Sequence, residues 1–502
     1  MTAWLLNLAP IGLLLLVVAF VLGRLPPVEG VEHSAAFRRR RVMNWLPLGL
    51  TYAFLYMGRY NLTVSKSALG DIQDPMGGAL MGNDDFGFIF TAGTWVYGSA
   101  FLINGPLTDR FGGRKAILIG AAGSAVANVL MGLGAWSLVT QGPMHDVLAQ
   151  NFALIYSVLY GVNMYFQSFG AVAVVKTNAP WFHVRERGVF GAIFGILISL
   201  GIYFAFDIGG LIVKHVGVAE VFFIPAVMLG IFWVADFLLV QDSPGQAGLE
   251  DFDTADASSG DDGPRKSALQ VFKMMLTNPI IITIALVEFC SGFIRQAPMQ
   301  WYQAFAKQTD SALHLKGDLI YDNWGVALCL AGILGGVLAG VISDRVFQSR
   351  RGPVAAILYA GVTLGSIALF LLFQTEAIYL TDTIKISVPG ILAIAISMCV
   401  IGVHGMLSGT ASMDFGGTKN VGIAVGIIDG FVYLGTGVMS LTYGLLLPKE
   451  EFDDAGNLVG PVTDPTNWSP WPISMIIIGI LGFLLATRVW NAKPKGKSAK
   501  AS

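Results

Sequence analysis

Two arginines stand deep inside long apolar segments of this sequence. Arg59 lies in WLPLGLTYAFLYMGRYNLTVSK, and Arg295 lies comparably deep in IIITIALVEFCSGFIRQAPMQWYQAF. If these segments cross a membrane, each arginine costs at least about 2.5–3.5 kcal/mol unless it faces a polar cavity or a partner. A guanidinium group donates two parallel hydrogen bonds to an oxyanion. Two opposed arginines therefore suit phosphate or phosphonate best, and carboxylate and sulfate remain alternatives.

Two further charged residues occur at helical spacing from the arginines. Glu288 precedes Arg295 by seven residues, two helical turns on one face. A structural ion pair is therefore the alternative role for that arginine. Lys66 follows Arg59 by seven residues. It either adds a third cation to the anion site or extends its ammonium group to the outer interface from the end of the helix.

Several other polar and aromatic residues in the apolar segments are weaker candidates. Asp429 is a candidate counterion or proton site, and His404 is either an interhelical hydrogen bonder or a proton relay. Gln167 fits a substrate contact and interhelical packing equally well. Tyr60 and Trp301 flank the arginines, where lining a cavity and ordinary packing are both open.

The composition is that of a membrane protein. Of 502 residues, 54% are hydrophobic and only 13% are charged, and the mean hydropathy is +0.65. Soluble proteins carry roughly 25% charged residues. Apolar blocks of about 20 residues match the roughly 30 Å of hydrocarbon that a helix must cross. We therefore predict an all-α polytopic membrane protein.

The same features argue against other classes. A net charge of −2 gives no reason to expect a nucleic-acid partner. The sequence contains no metal-ligand cluster, nucleophile motif or nucleotide-binding glycine loop, so we predict no enzyme, no metal site and no cofactor.

Apolar blocks and their polar breaks predict thirteen spans. They lie near residues 3–24, 44–66, 86–107, 115–137, 150–175, 189–213, 218–240, 280–305, 322–343, 353–373, 386–412, 420–447 and 470–490. We expect five parts: an extra N-terminal helix with a basic linker (1–41), an N-terminal six-helix bundle (42–241), an acidic cytoplasmic linker (242–278), a C-terminal six-helix bundle (279–490) and a basic tail (491–502). Most of the 31 cations then face the cytoplasm, with the N-terminus outside and the C-terminus inside.

Two similar turns indicate an internal repeat. GPLTDRFGGRK contains Asp109 and Arg110, and GVISDRVFQSRR contains Asp344 and Arg345, 235 positions later. The two deep arginines are 236 positions apart. We infer two homologous halves related by an axis along the membrane normal, with the substrate site between them. The four turn residues are predicted to hold the cytoplasmic face closed in one conformation.

The first of these turns is similar to the signature loop of the major facilitator superfamily. Four more segments, beginning at YMGRYN, NMYFQSFG, RQAPMQW and TKNVGIAVGIIDGFVYLG, resemble the organophosphate:phosphate antiporter family, and the resemblance covers residues 42–490. It implies a major facilitator fold of two six-helix bundles, plus one extra N-terminal helix. It also implies that Arg59 and Arg295 clamp phosphate, and we add Asn61 of YMGRYN to the candidate substrate contacts.

Three positions depart from the glycerol-3-phosphate exchangers of that family. Phe101 stands where they have a lysine, Ile198 lies near the position of a histidine, and Gln300 replaces an acid. Lys66, by contrast, matches a lysine of the eukaryotic sugar-phosphate exchangers. The resemblance therefore leaves the organic part of the substrate open.

The expected function is alternating-access exchange of a phosphorylated organic solute for inorganic phosphate, by a monomer in a bacterial inner membrane. Two alternatives remain. One is a proton-coupled facilitator of another anionic metabolite. The other is a non-transporting membrane sensor of an organic phosphate.

Overall fold

The computed structural model describes residues 11–12, 33–75, 77–183, 196–252, 254, 268–347, 350–373, 386–453 and 455–491. The predicted first span near residues 3–24, apart from residues 11 and 12, and the tail beyond residue 491 lie outside the described residues. The other twelve predicted spans coincide with long helices. The long helices are α1 Ala35–Gly70, α2 Asn83–Phe111, α3 Gly113–Thr140, α4 Phe152–Asn178, α5 Ile196–His215, α6 Glu220–Leu239, α7 Pro279–Gln308, α8 Trp324–Val346, α9 Arg351–Leu372, α10 and α11 within Val388–Leu446, and α12 Pro470–Arg488.

Short elements connect these helices. They are the α-helices His145–Gln150, Ala268–Leu276, Asp310–Leu313 and Leu319–Asp322, the 3-10 helices Ala179–Trp181, Gly245–Ala247, Gly460–Thr463 and Pro465–Trp468, and a π-helical turn Phe204–Ile208 within α5. A two-stranded antiparallel sheet, β1 Glu451–Phe452 and β2 Leu458–Val459, follows α11. Within the described ranges, nine helices are long and apolar enough to cross a membrane.

Local sequence signals explain where several helices begin. Side-chain oxygen atoms of Ser34, Asn278 and Ser387 accept hydrogen bonds from the first turns of α1, α7 and α10. Gly112 separates α2 from α3 with φ of 90°, a conformation that favours glycine. A Cβ atom at Gly112 would also overlap the carboxylate of Asp242. The first signature turn is therefore a tight corner between two helices.

The helical run Val388–Leu446 must reverse direction, although it is one uninterrupted element of 59 residues. His404 contacts Glu288 of α7, whereas Thr436 donates a hydrogen bond to the carbonyl oxygen of Gly292, one turn further along α7. A straight helix would separate residues 404 and 436 by roughly 48 Å. The run therefore contains two arms, which we call α10 (Val388–Leu407) and α11 (residues 423–446).

Small residues allow the helices to approach closely, as is common in membranes. A Cβ atom at Gly87 of α2 would lie 2.5 Å from Cα of Gly444 in α11. A Cβ atom at Gly292 of α7 would overlap the carbonyl oxygen of Val432 in α11. Helix α11 is thus packed against both α2 and α7. We call α1–α6 the N-terminal half and α7–α12 the C-terminal half; the domain boundaries given above stay predictions.

Candidate functional site

Arg59 is held in α1 by hydrogen bonds to three neutral groups. Its Nε atom donates to Oε1 of Gln167 at 2.9 Å, Nη1 to the hydroxyl of Tyr433 at 2.9 Å, and Nη2 to the hydroxyl of Tyr97 at 2.8 Å. The side chain is buried, and its guanidinium carbon lies 4.6 Å from the ring centroid of Tyr56. These contacts orient the guanidinium group without supplying a negative charge. The group can therefore still bind an anion.

Arg295 approaches the same place from α7. Its guanidinium carbon lies 5.9 Å from the ring centroid of Tyr433. Its Nε and Nη2 atoms are buried and have no hydrogen-bond partner among the described residues. Leaving a buried donor unpaired costs about 1–3 kcal/mol, and more when the group is charged. Two buried N–H donors of a cation are the groups that an oxyanion would satisfy.

Tyr433 of α11 joins the two arginines, because its hydroxyl contacts Arg59 and its ring lies beside Arg295. Neither Tyr433 nor Tyr97 was among the residues expected from the sequence. One signal pointed to Tyr433: it lies one helical turn after Asp429, in a segment that carries the family resemblance. Tyr97 has no comparable signal, since an aromatic residue in an apolar helix is usually a packing residue.

Two expected contacts do belong to this cluster. Gln167 is the acceptor for Nε of Arg59, and its own amide nitrogen donates to Asn163 at 3.2 Å. Tyr60 accepts a hydrogen bond of 3.1 Å from Gln296 of α7. Tyr60 therefore connects the N-terminal and C-terminal halves next to the arginine pair.

Asn61 and Trp301 have their described contacts away from the arginine pair. Asn61 follows Arg59 by two residues, about 200° around the helix, and its amide donates to Asn128 of α3 inside the N-terminal half. Trp301 is fully buried, with ring centroids of Phe86 and Tyr443 at 5.2 and 5.6 Å. Both side chains pack between helices, and their roles as substrate contacts stay predictions.

Lys66 of α1 forms a buried ion pair with a carboxylate. Its Nζ atom lies 2.9 Å from Oε1 of Glu450, and each of the two side chains is only 6% exposed. The ammonium group therefore does not extend into the outer interface, and its role as a third cation for the anion stays a prediction. The partner, Glu450, lies in the polar connection after α11.

The remaining ionisable candidates cluster in the C-terminal half. Glu288 is fully buried, and its Oε2 atom lies 2.7 Å from Nδ1 of His404. The carboxylate also interacts electrostatically with Arg295. Asp429 interacts electrostatically with His404 and with Tyr97. The direct partner of Glu288 is thus His404. Glu288, His404 and Arg295 form one group in place of a simple ion pair between Glu288 and Arg295.

The four turn residues are only partly described. Asp109 accepts a contact of 2.6 Å from Lys176 of α4, within the N-terminal half, and Arg110 is exposed. The side chains of Asp344 and Arg345 lie outside the described residues. A role in closing the cytoplasmic face stays a prediction. Among the residues that the structure describes, no group of three or more His, Cys, Asp or Glu could hold a metal ion.

Comparison with known proteins decides the family. A model of the Major Facilitator Superfamily matches residues 48–440. The chain belongs to the major facilitator superfamily. Family membership and the apolar helices make this facilitator an integral membrane protein.

Related facilitators extend over nearly the whole chain. The chain is 25% identical over 494 residues to the glycerol-3-phosphate transporter of Bacillus subtilis, covering 95% of this chain and 98% of the relative. It is 24% identical over 479 residues to the membrane sensor protein UhpC of Escherichia coli, covering 92% and 95%. It is also 21% identical over 491 residues to a probable hexose phosphate transport protein of Chlamydia pneumoniae, covering 94% and 96%.

Solved structures share the fold at low identity. A bacterial homolog of the human lysosomal transporter Spinster superposes with a TM-score of 0.65 at 13% identity, over 93% of this chain and all of that one. A D-xylose–proton symporter gives a TM-score of 0.62 at 16% identity, over 90% and 99%. The prediction of an all-α polytopic membrane protein with the major facilitator fold is confirmed.

Proposed function

We propose that this facilitator exchanges a phosphorylated organic anion for inorganic phosphate by alternating access. The observation that carries the proposal is the meeting of Arg59 and Arg295, from different halves, at Tyr433. The unpaired buried nitrogens of Arg295 support an anion with several oxygen atoms as the ligand. The relatives named for glycerol 3-phosphate and hexose phosphate support the choice of phosphate.

Obligate exchange follows from the charge of the site. Arg59 is hydrogen-bonded to neutral groups, so closing the site without an anion would enclose uncompensated positive charge. Enclosing unpaired charge in a dry cavity is strongly unfavourable. A bound phosphate dianion offsets that charge, and the loaded carrier can change its exposed face. Return of the empty carrier should accordingly be slow.

Counterflow in proteoliposomes tests this proposal. Vesicles are loaded with inorganic phosphate or left without it, and uptake of radiolabelled phosphate and of glycerol or hexose phosphate is measured. We expect fast uptake only into phosphate-loaded vesicles. Equally fast uptake into phosphate-free vesicles would contradict exchange.

A proton-coupled facilitator is the second candidate, and the contact between Glu288 and His404 favours it. A buried carboxyl group that shares a proton with an imidazole can take up and release that proton during the cycle. In this case an inward proton gradient would drive net uptake into phosphate-free vesicles. Glu288→Gln, His404→Gln and Asp429→Asn would each abolish the gradient-driven uptake.

A membrane sensor is a third candidate, because one relative is the sensor UhpC. Saturable binding of an organic phosphate without any flux or counterflow would favour it.

We also propose that the protein acts as a monomer in a bacterial inner membrane, with its C-terminus in the cytoplasm and its N-terminus outside. Protease protection of tags at both ends of the chain tests that orientation.

A further inference from the structure

Helices α1 and α7 are tied together beyond the arginine pair by successive polar contacts. Tyr60 of α1 contacts Gln296 of α7, and one turn further Thr63 contacts Gln300. At the ends of the helices, Lys307 of α7 lies 2.8 Å from Asp71, which follows α1. These contacts join the two halves at the end of the molecule that the charge distribution assigns to the outside.

The Lys66–Glu450 pair completes this closure. Oε1 of Glu450 lies 2.9 Å from Nζ of Lys66 and also accepts a hydrogen bond from Gln308. Oε2 accepts a hydrogen bond of 2.8 Å from the backbone N–H of Asn83. Lys66 and Asn83 belong to the N-terminal half, whereas Glu450 and Gln308 belong to the C-terminal half. The carboxylate is thus bound by donors from both halves.

The donors around Glu450 have the chemistry of an oxyanion site. Asn83 is the first residue of α2, where backbone N–H groups and the helix dipole favour negative charge. Lys66 adds a buried ammonium group and Gln308 adds a side-chain amide. An ammonium group, a helix N-terminus and an amide that converge on one carboxylate could hold a phosphate group in its place.

A cavity of about 280 Å³ adjoins the pair. Residues of both halves line it, including Ser67, Asp71, Gln303, Lys307 and Tyr321. Lys214 of α5 lies at the same cavity and is exposed. An anion that enters this cavity therefore reaches Lys66 before it can reach the arginine pair.

We propose that Lys66, the N–H of Asn83 and Gln308 form an outer anion site that the Glu450 carboxylate occupies while this end is closed. A phosphate or organic phosphate arriving from outside replaces Glu450 there. Breaking the pair without a replacement would leave a buried ammonium group uncompensated, which is costly. Opening is therefore coupled to arrival of the anion. This inference rests on the proposed function, because it assumes that the path beyond the site leads to Arg59 and Arg295.

Labelling of a cysteine beneath the pair tests the inference. Gln296→Cys, a buried position next to Arg295 that does not line the outer cavity, is introduced into a chain in which Cys290, Cys329 and Cys399 are alanine. Sealed vesicles are then treated with a membrane-impermeant thiol reagent. We expect slow labelling that inorganic phosphate accelerates by about tenfold. Glu450→Gln should label quickly without phosphate, and Lys66→Met should lose the response to phosphate.

Two variants separate this mechanism from misfolding and from a surface effect. The double variant Lys66→Met/Glu450→Gln removes both charges, so no buried charge is left unpaired, and it should label quickly with no response to phosphate. Asp84→Asn breaks the exposed contact between Asp84 and Lys449, which also joins the halves, and it should label like the parent chain.

Two results would overturn the inference: labelling of Glu450→Gln at the parent rate, or a full phosphate response in Lys66→Met. The labelling assay needs no exchange, so its outcome is independent of the counterflow experiment. Acceleration of labelling by phosphate, without counterflow, would refute exchange and leave the outer site intact. Counterflow by the parent chain, together with labelling of Glu450→Gln at the parent rate, would support exchange and refute the outer site.

Discussion

The hydroxyl of Tyr433 lies 2.9 Å from Nη1 of Arg59, a hydrogen bond that joins the two halves at the arginine pair. The acceptor is neutral, so the contact positions the guanidinium group without cancelling its charge. The same tyrosine ring lies beside Arg295. The charge of Arg59 therefore remains available to an anion, whereas a carboxylate partner would neutralise it.

Lysine at either arginine position should strongly weaken phosphate binding. Lysine keeps the positive charge but loses the planar, bidentate donor geometry. We expect Arg59→Lys and Arg295→Lys each to weaken phosphate binding by about 100-fold, from the loss of one charge-assisted pair of hydrogen bonds. Thermal-shift titration with inorganic phosphate measures this. Arg488→Lys, at an exposed position in the last turn of α12, is the control and should bind like the parent. Binding retained in both site variants would exclude the clamp.

Gln167→Glu should eliminate anion binding while the protein stays folded. Glutamate has nearly the same shape and still accepts from Nε of Arg59, but its charge neutralises the guanidinium group. Gln167→Leu removes the acceptor instead and should weaken phosphate binding by only about tenfold. Phosphate titration of both variants, with thermal unfolding in detergent as a folding check, distinguishes them. Equal affinities in the two variants would mean that charge at this position does not matter.

Gly292→Ala should destabilise the crossing of α7 and α11. The new Cβ atom would overlap the carbonyl oxygen of Val432, so the helices must move apart. Overpacking costs about 1–3 kcal/mol, which lowers the melting temperature by roughly 2–10 °C. Gly336→Ala in α8 is the matched control, because a Cβ atom there has no neighbour within 4 Å. Thermal unfolding in detergent compares the two, and a control that melts as low as Gly292→Ala would contradict the packing argument.

The contribution of the Lys449–Asp84 pair to stability should stay constant between pH 7.5 and 9. Asp84 raises the pKa of Lys449 through a side-chain hydrogen bond and its charge. A raised folded-state pKa gives a contribution that is complete below the unfolded value of about 10.4 and is lost as the pH rises through the folded value. Lys449 is largely exposed, so the contribution is at most about 1 kcal/mol. Melting temperatures of the parent and Lys449→Met across this range test it, and a difference that changes within the range would point to another titrating group.

Charges in apolar surroundings could be recognised from the sequence because burial makes them costly wherever they occur. That reasoning identifies Arg59 and Arg295, and it also selects Glu288 and His404, which contact each other in the structure. It could not tell which face of a helix each neighbour occupies. Asn61 lies two residues from Arg59 in the chain, yet it is directed to α3.

The sequence by itself determined the membrane class, the helices and the two deep cations, because length, hydropathy and buried charge are properties of a segment. Tertiary structure decided the partners. Tyr433 meets Arg59 across 374 positions, and Glu450 meets Lys66 across 384. In the sequence alone, nothing distinguishes a tyrosine in a helix or a glutamate in a polar connection from other residues of the same type. They gain a role only where α11 crosses between the halves, because hydrogen bonds and ion pairs act over a few ångströms and depend on which surfaces the fold brings together.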